Sequence, residues 1–168
     1  AEPFLIHRDT AEDPDKQALR LLSLVGLNAE IADRYPHQLS GGQARRVGVA
    51  RAVALKPDLL IADEPTAGLD VSIQGEVLNL LARLQADMGL GILLITHNLN
   101  VVRHVADKMA IMYLGRFVEQ GDSEQIFKYP RHPYTAALLS ANPSLDPQAK
   151  LDRIELAGEV PSLLQRPA

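Results

Sequence analysis

The sequence predicts an α/β fold with a mainly parallel sheet flanked by helices. Two short apolar runs, residues 59–62 and 92–95, alternate with helical patterns over residues 71–88 and 98–105. Strands that alternate with helices are typical of parallel sheets covered by helices. Helical patterns that precede residue 56 predict a smaller helical part at the N-terminus.

This N-terminal part contains three predicted helices. Asp13 and Pro14 suit the start of the first, which extends to Val25 before Gly26. A second, shorter helix spans residues 28–34. The third begins at Ser40 and ends near Leu55, with an apolar face of Val47, Ala50 and Ala54. Its three arginines, which we interpret as a solvated or salt-bridged face, are Arg45, Arg46 and Arg51.

The central part contains the two apolar runs. Each is short and continuous, which is the pattern of a strand buried on both faces. The helix between them ends at Gly89. Its inward face is predicted to hold Ile73, Val77, Leu80, Leu81 and Leu84.

After the second strand, Asn98 can cap a helix that extends through Val105. Residues 109–113 and 117–120 are predicted to form a hairpin around Leu114-Gly115-Arg116. Short helices are predicted over residues 123–127 and 132–141, and a possible strand over residues 154–156.

Composition excludes several classes of protein. The net charge is −4, so no nucleic-acid surface is expected, and the absence of cysteine excludes disulfides and thiolate metal sites. No apolar segment approaches the roughly 20 residues of a membrane-spanning helix. The chain does not begin with Met and shows no signal peptide, and we interpret it as a piece of a longer protein.

The segment Ser40-Gly41-Gly42-Gln43 opens a helix behind a serine cap. A helix N-terminus offers unpaired amide groups and the positive end of a dipole, and glycines allow a phosphate to approach closely. Taken alone, the segment is explained as well by an N-cap and a turn. With Leu39 and Gln43 around it, binding of a γ-phosphate becomes the better interpretation.

Two adjacent carboxylates, Asp63 and Glu64, follow the first predicted strand. Ligands bind at the carboxyl ends of strands in open α/β sheets. Asp63 is therefore expected to hold Mg²⁺ through a coordinated water, and Glu64 to accept a proton from an attacking water. An isolated Asp-Glu-Pro segment would be better interpreted as a strand that ends in a solvated acidic turn.

His97 ends the neighbouring strand, so its imidazole is predicted to lie across the same site and to donate a hydrogen bond to the γ-phosphate. Asp70 is predicted to cap the helix that follows it and to reach across a subunit contact. The remaining histidines are assigned structural roles.

These residues in this order resemble ATP-binding cassette (ABC) proteins. Residues 39–43 resemble the signature motif, residues 60–64 the Walker B strand with its catalytic glutamate, and residues 67–70 the D-loop, while His97 is similar to the switch histidine. The resemblance is closest to the ATPase subunits of oligopeptide, dipeptide and nickel importers. The segments that carry this finer resemblance are residues 35–38, 62–66, 69–72, 112–115, 132–135 and 158–162.

The resemblance implies a P-loop NTPase fold and a head-to-tail dimer with a second ABC ATPase subunit. Ser40, Gly41, Gly42, Gln43 and Asp70 would then contact ATP across the dimer, while Glu64 and His97 act as catalytic residues and Asp63 holds Mg²⁺. Further implied partners are integral membrane permease subunits and, indirectly, an extracytoplasmic solute-binding protein, but no nucleic acid. The implied location is peripheral, at the cytoplasmic face of the plasma membrane.

Two departures from the family pattern matter. Asn98 stands where the family usually has an acid after the switch histidine, and no Gly-x-x-x-x-Gly-Lys-Ser/Thr loop (Walker A) is present. We therefore expect a C-terminal fragment with little activity of its own. It divides into a partial helical subdomain over residues 1–56, a catalytic core segment over residues 57–128, and the start of a C-terminal extension over residues 129–168.

Two other functions remain open from the sequence. One is an ABC ATPase without a transport task, and the other is a half-site module that only completes a partner's ATP pocket. The acidic balance and the segments at residues 112–115 and 132–135 favour the importer.

Overall fold

The computed structural model describes residues 1–7, 13–142 and 154. The chain forms two compact units, residues 1–96 and residues 97–168. The helices and strands of the first unit are α1 (Glu2–His7), α2 (Pro14–Leu24), α3 (Gly41–Val53), β1 (Leu59–Asp63), α4 (Val71–Met88) and β2 (Gly91–Ile95). Two 3₁₀ helices, Ala29–Asp33 and Pro36–Gln38, connect α2 to α3.

The helix boundaries follow the capping residues that the sequence offers. Asp13 accepts a hydrogen bond from the Asp15 amide at the start of α2, and Gly26 after its end has a φ of 73°. Gly89 ends α4 in the left-handed conformation, which glycine adopts without steric cost. The second predicted helix is a 3₁₀ helix rather than an α-helix.

Strands β1 and β2 pair in parallel, as predicted, with Leu59 opposite Gly91 and Asp63 opposite Ile95. Because both strands end at the same register, the residues after Asp63 and Ile95 leave the sheet at one edge. This register positions the carboxylates of the predicted site.

The core of the first unit lies between α3, α4 and one face of this sheet. Val53, Val77, Leu80 and Leu84 are almost completely buried there. Ala50 and Ala54 are buried as predicted, but Val47 is only half-buried and Val53 takes the deepest position on α3. The inward face of α3 is therefore rotated from the prediction, and the Arg46 guanidinium donates a hydrogen bond to the Val25 carbonyl oxygen.

The prediction that β1 and β2 are buried on both faces is wrong for this chain. Leu59 and Ile61 are 55% and 60% exposed, and Leu93 and Ile95 are 50% and 47% exposed. Residues alternate between the two faces of a strand, and the helices of the first unit cover one face only. Within the described part of that unit, no element covers the face formed by these four residues, which we call the open sheet face.

The second unit contains α5 (Leu99–Val105), β3 (Lys108–Tyr113), β4 (Arg116–Asp122), α6 (Ser123–Lys128) and α7 (Pro133–Ser140). Strands β3 and β4 form the predicted antiparallel hairpin. Its turn places Leu114 and Gly115 at φ values of 48° and 74°, the conformation that a tight two-residue hairpin requires.

Helix α7 is held to this hairpin by one carboxylate. Glu119 on β4 accepts hydrogen bonds from the amides of Arg131 and His132, at 2.9 and 3.0 Å. The ring of Tyr134 packs against that of Tyr113 with 4.3 Å between their centroids. His132 itself caps α7 by accepting a hydrogen bond from the Tyr134 amide, which confirms its structural role.

Residues 155 and 156 of the possible strand over residues 154–156 lie outside the described residues. Among the described helices, none has the length and apolar character needed to cross a membrane.

Candidate functional site

The start of α3 is fixed by a reciprocal cap. Ser40 Oγ accepts a hydrogen bond from the Gln43 amide at 3.2 Å, and Gln43 Oε1 accepts one from the Ser40 amide at 3.1 Å. Among the described residues, nothing accepts a hydrogen bond from the amides of Gly41 or Gly42. The cap therefore leaves two amide donors and the Ser40 hydroxyl hydrogen at the positive end of the helix dipole.

The two glycines of this segment also have a packing role that the sequence did not reveal. A Cβ atom on Gly42 would lie 3.0 Å from Cγ2 of Ile73, and one on Gly41 would lie 3.4 Å from Cδ2 of Leu69. The start of α3 thus lies directly beside the start of α4. A side chain at Gly42 would require the Ile73 side chain to shift by a few tenths of an ångström.

Residues 64–70 connect β1 to α4 and are tied to both neighbouring helices. Arg45 on α3 donates a hydrogen bond to the Ala67 carbonyl oxygen at 3.3 Å, and Gln74 on α4 donates one to the Leu69 carbonyl oxygen at 2.8 Å. Asp70 caps α4, as predicted, by accepting from the Ile73 amide at 3.4 Å. The helix that begins at Ser40 and the helix that Asp70 caps are therefore both bonded to the same connecting segment.

Glu64 lies immediately beyond the end of β1 in an unusual backbone conformation. Its φ is 45°, in the left-handed region that costs a non-glycine residue about 1 kcal/mol or more. The Glu64 amide donates to the Ile95 carbonyl oxygen at 2.8 Å, and the Thr96 hydroxyl donates to Glu64 Oε2 at 3.4 Å. The sheet edge thus fixes both the backbone and the half-buried carboxylate of Glu64, beside the exposed carboxylate of Asp63.

His97 directly follows Thr96 and has an exposed side chain. It is the first residue of the second unit, so its predicted place opposite Glu64 stays a prediction. Asn98 caps α5 by accepting hydrogen bonds from the amides of Asn100 and Val101. Asparagine at this position therefore performs the capping role without adding a charge beside His97.

The residues present suit a magnesium nucleotide as ligand. Among the described residues, no group of three or more His, Cys, Asp or Glu side chains could hold a metal ion by itself. Magnesium is commonly held by one or two carboxylates, with water and substrate phosphates as its other ligands. The carboxylate of Asp63 matches this donor set, and the cap at Ser40 suits a phosphate.

Three residues that the sequence reasoning assigned no site role support these groups. They are Arg45, Gln74 and Thr96. Parallel pairing could have revealed Thr96, because it follows β2 by the same offset as Glu64 follows β1. Nothing in the sequence indicates that Arg45 and Gln74 bond backbone carbonyl groups of residues 67 and 69.

Two segments of the chain match models of known protein families. Residues 3–67 match the family model described as ABC transporter, and residues 118–168 match the model described as the C-terminal region of oligopeptide/dipeptide transporters. The chain belongs to the ABC transporter family. Residues 40–43, 63, 64 and 67 all lie inside the first match.

Curated relatives extend this family likeness over almost the whole chain. The chain is 50% identical over 167 residues to the dipeptide transport ATP-binding protein DppF of Escherichia coli (strain K12). This alignment covers 99% of this chain and 50% of that protein. It is 46% identical to the oligopeptide transport ATP-binding protein AppF of Bacillus subtilis (strain 168), covering 96% of this chain and 50% of that protein. The chain spans about half the length of these relatives.

A solved structure supports the fold. The ATP-binding cassette MJ0796, in a dimeric post-hydrolysis state bound to ADP and Pi, superposes with a TM-score of 0.62 at 31% identity. The match covers 72% of this chain and 53% of that chain. The ABC ATPase fold that the sequence predicted is therefore confirmed.

Proposed function

We propose that this chain is part of the ATP-binding and ATP-hydrolysing subunit that energises an ABC importer for peptides or related small solutes. The observation that carries the proposal is the placement of Glu64 at the edge of the parallel sheet, directly after Asp63. Hydrogen bonds to the Ile95 carbonyl oxygen and from the Thr96 hydroxyl hold Glu64 there. The names of the relatives support the class of substrate.

In this proposal Glu64 accepts a proton from the water that attacks the γ-phosphate. A carboxylate is suited to this role when its position is fixed before the substrate arrives. Asp63 holds Mg²⁺ through a coordinated water, and the ion neutralises charge that develops on the phosphates. His97 donates a hydrogen bond to the γ-phosphate bound by the same subunit.

Ser40, Gly41, Gly42 and Gln43 serve a different nucleotide. They contact the ATP of a second ABC ATPase subunit in a head-to-tail dimer, where the cap presents its amide donors to phosphate. Asp70, beside the same cap, lies at that subunit contact. Support comes from the packing of α3 against α4, which keeps both features on one part of the first unit.

The proposed partners follow from this task. Closure on ATP is transmitted to integral membrane permease subunits, and hydrolysis resets them. An extracytoplasmic solute-binding protein acts indirectly, and the subunit lies peripherally at the cytoplasmic face of the plasma membrane. The proposed chain consists of a partial helical subdomain (residues 1–56), a catalytic core segment (residues 57–128) and the start of a C-terminal extension (residues 129–168).

The half-site module remains the second candidate because the chain contains no Gly-x-x-x-x-Gly-Lys-Ser/Thr loop. That loop supplies much of the binding of the phosphates in P-loop enzymes. We expect the 168-residue chain alone to show little or no ATPase activity. Micromolar binding and turnover of Mg·ATP by this chain would contradict that expectation.

The test uses the full-length protein. Glu64→Gln keeps the shape of the side chain but removes the base, so turnover should fall by at least about 100-fold while ATP binding persists. Glu124→Gln, on the exposed surface of α6, is the matched control and should leave turnover unchanged. Unimpaired hydrolysis by Glu64→Gln would remove Glu64 from this role.

A further inference from the structure

A cleft on the second unit contains charged side chains of both signs. It lies between α5, the open end of the β3–β4 hairpin and α6, and its volume is about 920 Å³. Small-molecule sites commonly have volumes in this range. The walls of the cleft include three carboxylates and two cations, which belong to Asp107, Asp122, Glu124, Arg103 and Lys128.

The walls of the cleft are held together by contacts that leave its carboxylates unpaired. The Ser123 amide donates a hydrogen bond to the Asp107 carbonyl oxygen at 2.9 Å, and the Arg103 guanidinium lies 5.5 Å from the centre of the Phe127 ring. Within the described part of the chain, the carboxylates of Asp107 and Asp122 form no hydrogen bond or ion pair. These charges are therefore available to a ligand.

A buried hydroxyl in the wall of the cleft also lacks a partner. Ser123 lines the cleft and is only 5% exposed, and its Oγ forms no hydrogen bond with a described residue. Buried polar groups in folded proteins are almost always hydrogen-bonded. A polar ligand in the cleft would satisfy this hydroxyl.

The acidic and basic parts of the cleft are separated by about one helical turn. Phe127, which contacts Arg103, follows Ser123 by four residues of α6, a rise of about 6 Å. Because Ser123 is bonded to Asp107, this rise approximates the separation of the two parts. Two extended residues span at most about 7 Å, so the terminal charges of a dipeptide match it. The charges of a free amino acid flank one Cα atom and are too close together to reach both parts.

We propose that this cleft binds a short zwitterionic peptide of about two residues. Its ammonium group contacts the carboxylates of Asp107 and Asp122, and its carboxylate contacts the guanidinium of Arg103, whose planar fork suits a carboxylate. An apolar side chain of the peptide packs on Phe127, and a backbone group bonds the Ser123 hydroxyl. The inference uses residues of the second unit only and does not require the proposed function to be correct.

The charges of the cleft disfavour two other ligands. An exposed arginine beside an aromatic ring would also suit a phosphate compound, but the carboxylates in the same cleft repel an anion. Among the described residues, no group of three or more His, Cys, Asp or Glu side chains could hold a metal ion. A ligand with separated charges and no net charge fits the cleft better than either.

The experiment measures peptide binding to the full-length protein by saturation-transfer NMR titration, without nucleotide. The ligands are alanyl-phenylalanine, the same dipeptide with an acetylated N-terminus and an amidated C-terminus, and free phenylalanine. Because the charges of the cleft are exposed, we expect weak binding of the dipeptide, with a Kd of about 1 mM. The capped dipeptide and phenylalanine should bind at least about tenfold more weakly.

Three substitutions test the site. Arg103→Met and Asp107→Asn should each raise the Kd of the dipeptide by about fivefold or more, and Ser123→Ala should raise it by about two- to threefold. The matched controls are Arg83→Met and Asp87→Asn, which change exposed residues of α4 in the first unit and should leave the Kd unchanged. Urea unfolding checks that each variant is folded. Ser123→Ala removes only an unbonded hydroxyl, so it keeps the test valid if a charge variant does not fold.

Three results would overturn the inference. They are no binding of the dipeptide by the wild type at about 10 mM, equal affinity for the free and capped dipeptides, and wild-type affinity in the folded variants of Arg103, Asp107 and Ser123. Phenylalanine that binds as tightly as the dipeptide would also overturn it and assign the cleft to free amino acids. Because the titration contains no ATP, each of these results leaves the proposed function standing. The proposed function fails separately, through unimpaired hydrolysis by Glu64→Gln.

Discussion

The hydroxyl of Thr96 donates a hydrogen bond to Oε2 of Glu64, with 3.4 Å between the two oxygens. The two residues leave neighbouring parallel strands at the same edge of the sheet, and the amide of Glu64 also bonds the carbonyl oxygen of Ile95. Backbone and side chain of Glu64 are thus both positioned from β2. This relationship makes the second strand part of the catalytic arrangement that we propose.

The contact between Thr96 and Glu64 predicts a positioning effect on turnover. In the full-length protein, Thr96→Val should lower kcat for ATP several-fold with little change in KM, because the carboxylate loses a donor that orients it. Thr96→Ser retains the hydroxyl and should recover most of the activity. Equal kcat values for the valine variant and the wild type would show that the hydrogen bond does not orient Glu64.

Arg46 is predicted to stabilise the first unit through its contacts on both sides of α3. Its guanidinium donates to the Val25 carbonyl oxygen at 3.0 Å and pairs with Glu76 at 2.6 Å. Because the carboxylate of Glu76 is largely exposed, we expect Arg46→Met to lower the free energy of unfolding by only about 1–2 kcal/mol.

The matched control is Arg51→Met on the same helix. The side chain of Arg51 is exposed and makes no hydrogen bond or ion pair with a described residue, so the change should stay within about 0.5 kcal/mol. Urea unfolding of the full-length variants measures both effects. Equal destabilisation by the two substitutions would contradict the assignment.

Glu119 predicts an acid-sensitive attachment of α7 to the hairpin. Partial burial disfavours its charge, but the nearby Thr135 hydroxyl, the amides of Arg131 and His132, and the His132 imidazole lower the pKa of Glu119 below its usual 4.5. Because the pKa of Glu119 is lower in the folded than in the unfolded state, the carboxylate stabilises the fold at pH values above its unfolded pKa. That contribution is lost as pH falls below about 4.5 through the folded pKa.

The measurement is stability against pH for Glu119→Gln beside Glu124→Gln, which removes an exposed carboxylate from α6. The Glu119 variant should be less stable near neutral pH and should lose less stability on acidification. The Glu124 variant should follow the wild type. A Glu119 variant with the wild-type acid response would exclude this carboxylate as the cause.

The open sheet face predicts self-association of the 168-residue chain when it is prepared alone. Leu59, Ile61, Leu93 and Ile95 together present a contiguous apolar surface, and such surfaces promote association in water. Replacing Ile61 and Leu93 with threonine keeps residues that suit a strand while reducing this apolar area. Light scattering should detect oligomers of the parent chain and fewer of the variant. A monomeric parent chain at micromolar concentration would contradict the prediction.

Local chemistry made much of this fold predictable. Capping residues such as Ser40, Asp70 and Gly89 mark helix ends through hydrogen bonds and φ angles that act over a few residues, and the structure confirms those ends. Register is less local, yet two short apolar runs separated by one helix leave parallel pairing as the simplest arrangement.

What the sequence did not predict depends on contacts between distant residues. The burial of Val53 in place of Val47 depends on how α3 packs in the core, and the open sheet face depends on which elements cover β1 and β2. The close approach of Gly42 to Ile73 is likewise a tertiary contact. Gly42 was interpreted only as room for a phosphate, because the spacing of residues along the chain does not show which helix lies beside it.

The most direct test of the central claim is an experimental structure of the full-length Glu64→Gln variant trapped with Mg·ATP. We predict a head-to-tail dimer in which residue 64 and His97 approach the γ-phosphate bound by their own subunit. Ser40 and Gly42 should contact the triphosphate of the other subunit. A correctly folded sheet with His97 remote from residue 64, or a Ser40 segment that contacts no nucleotide, would contradict the account.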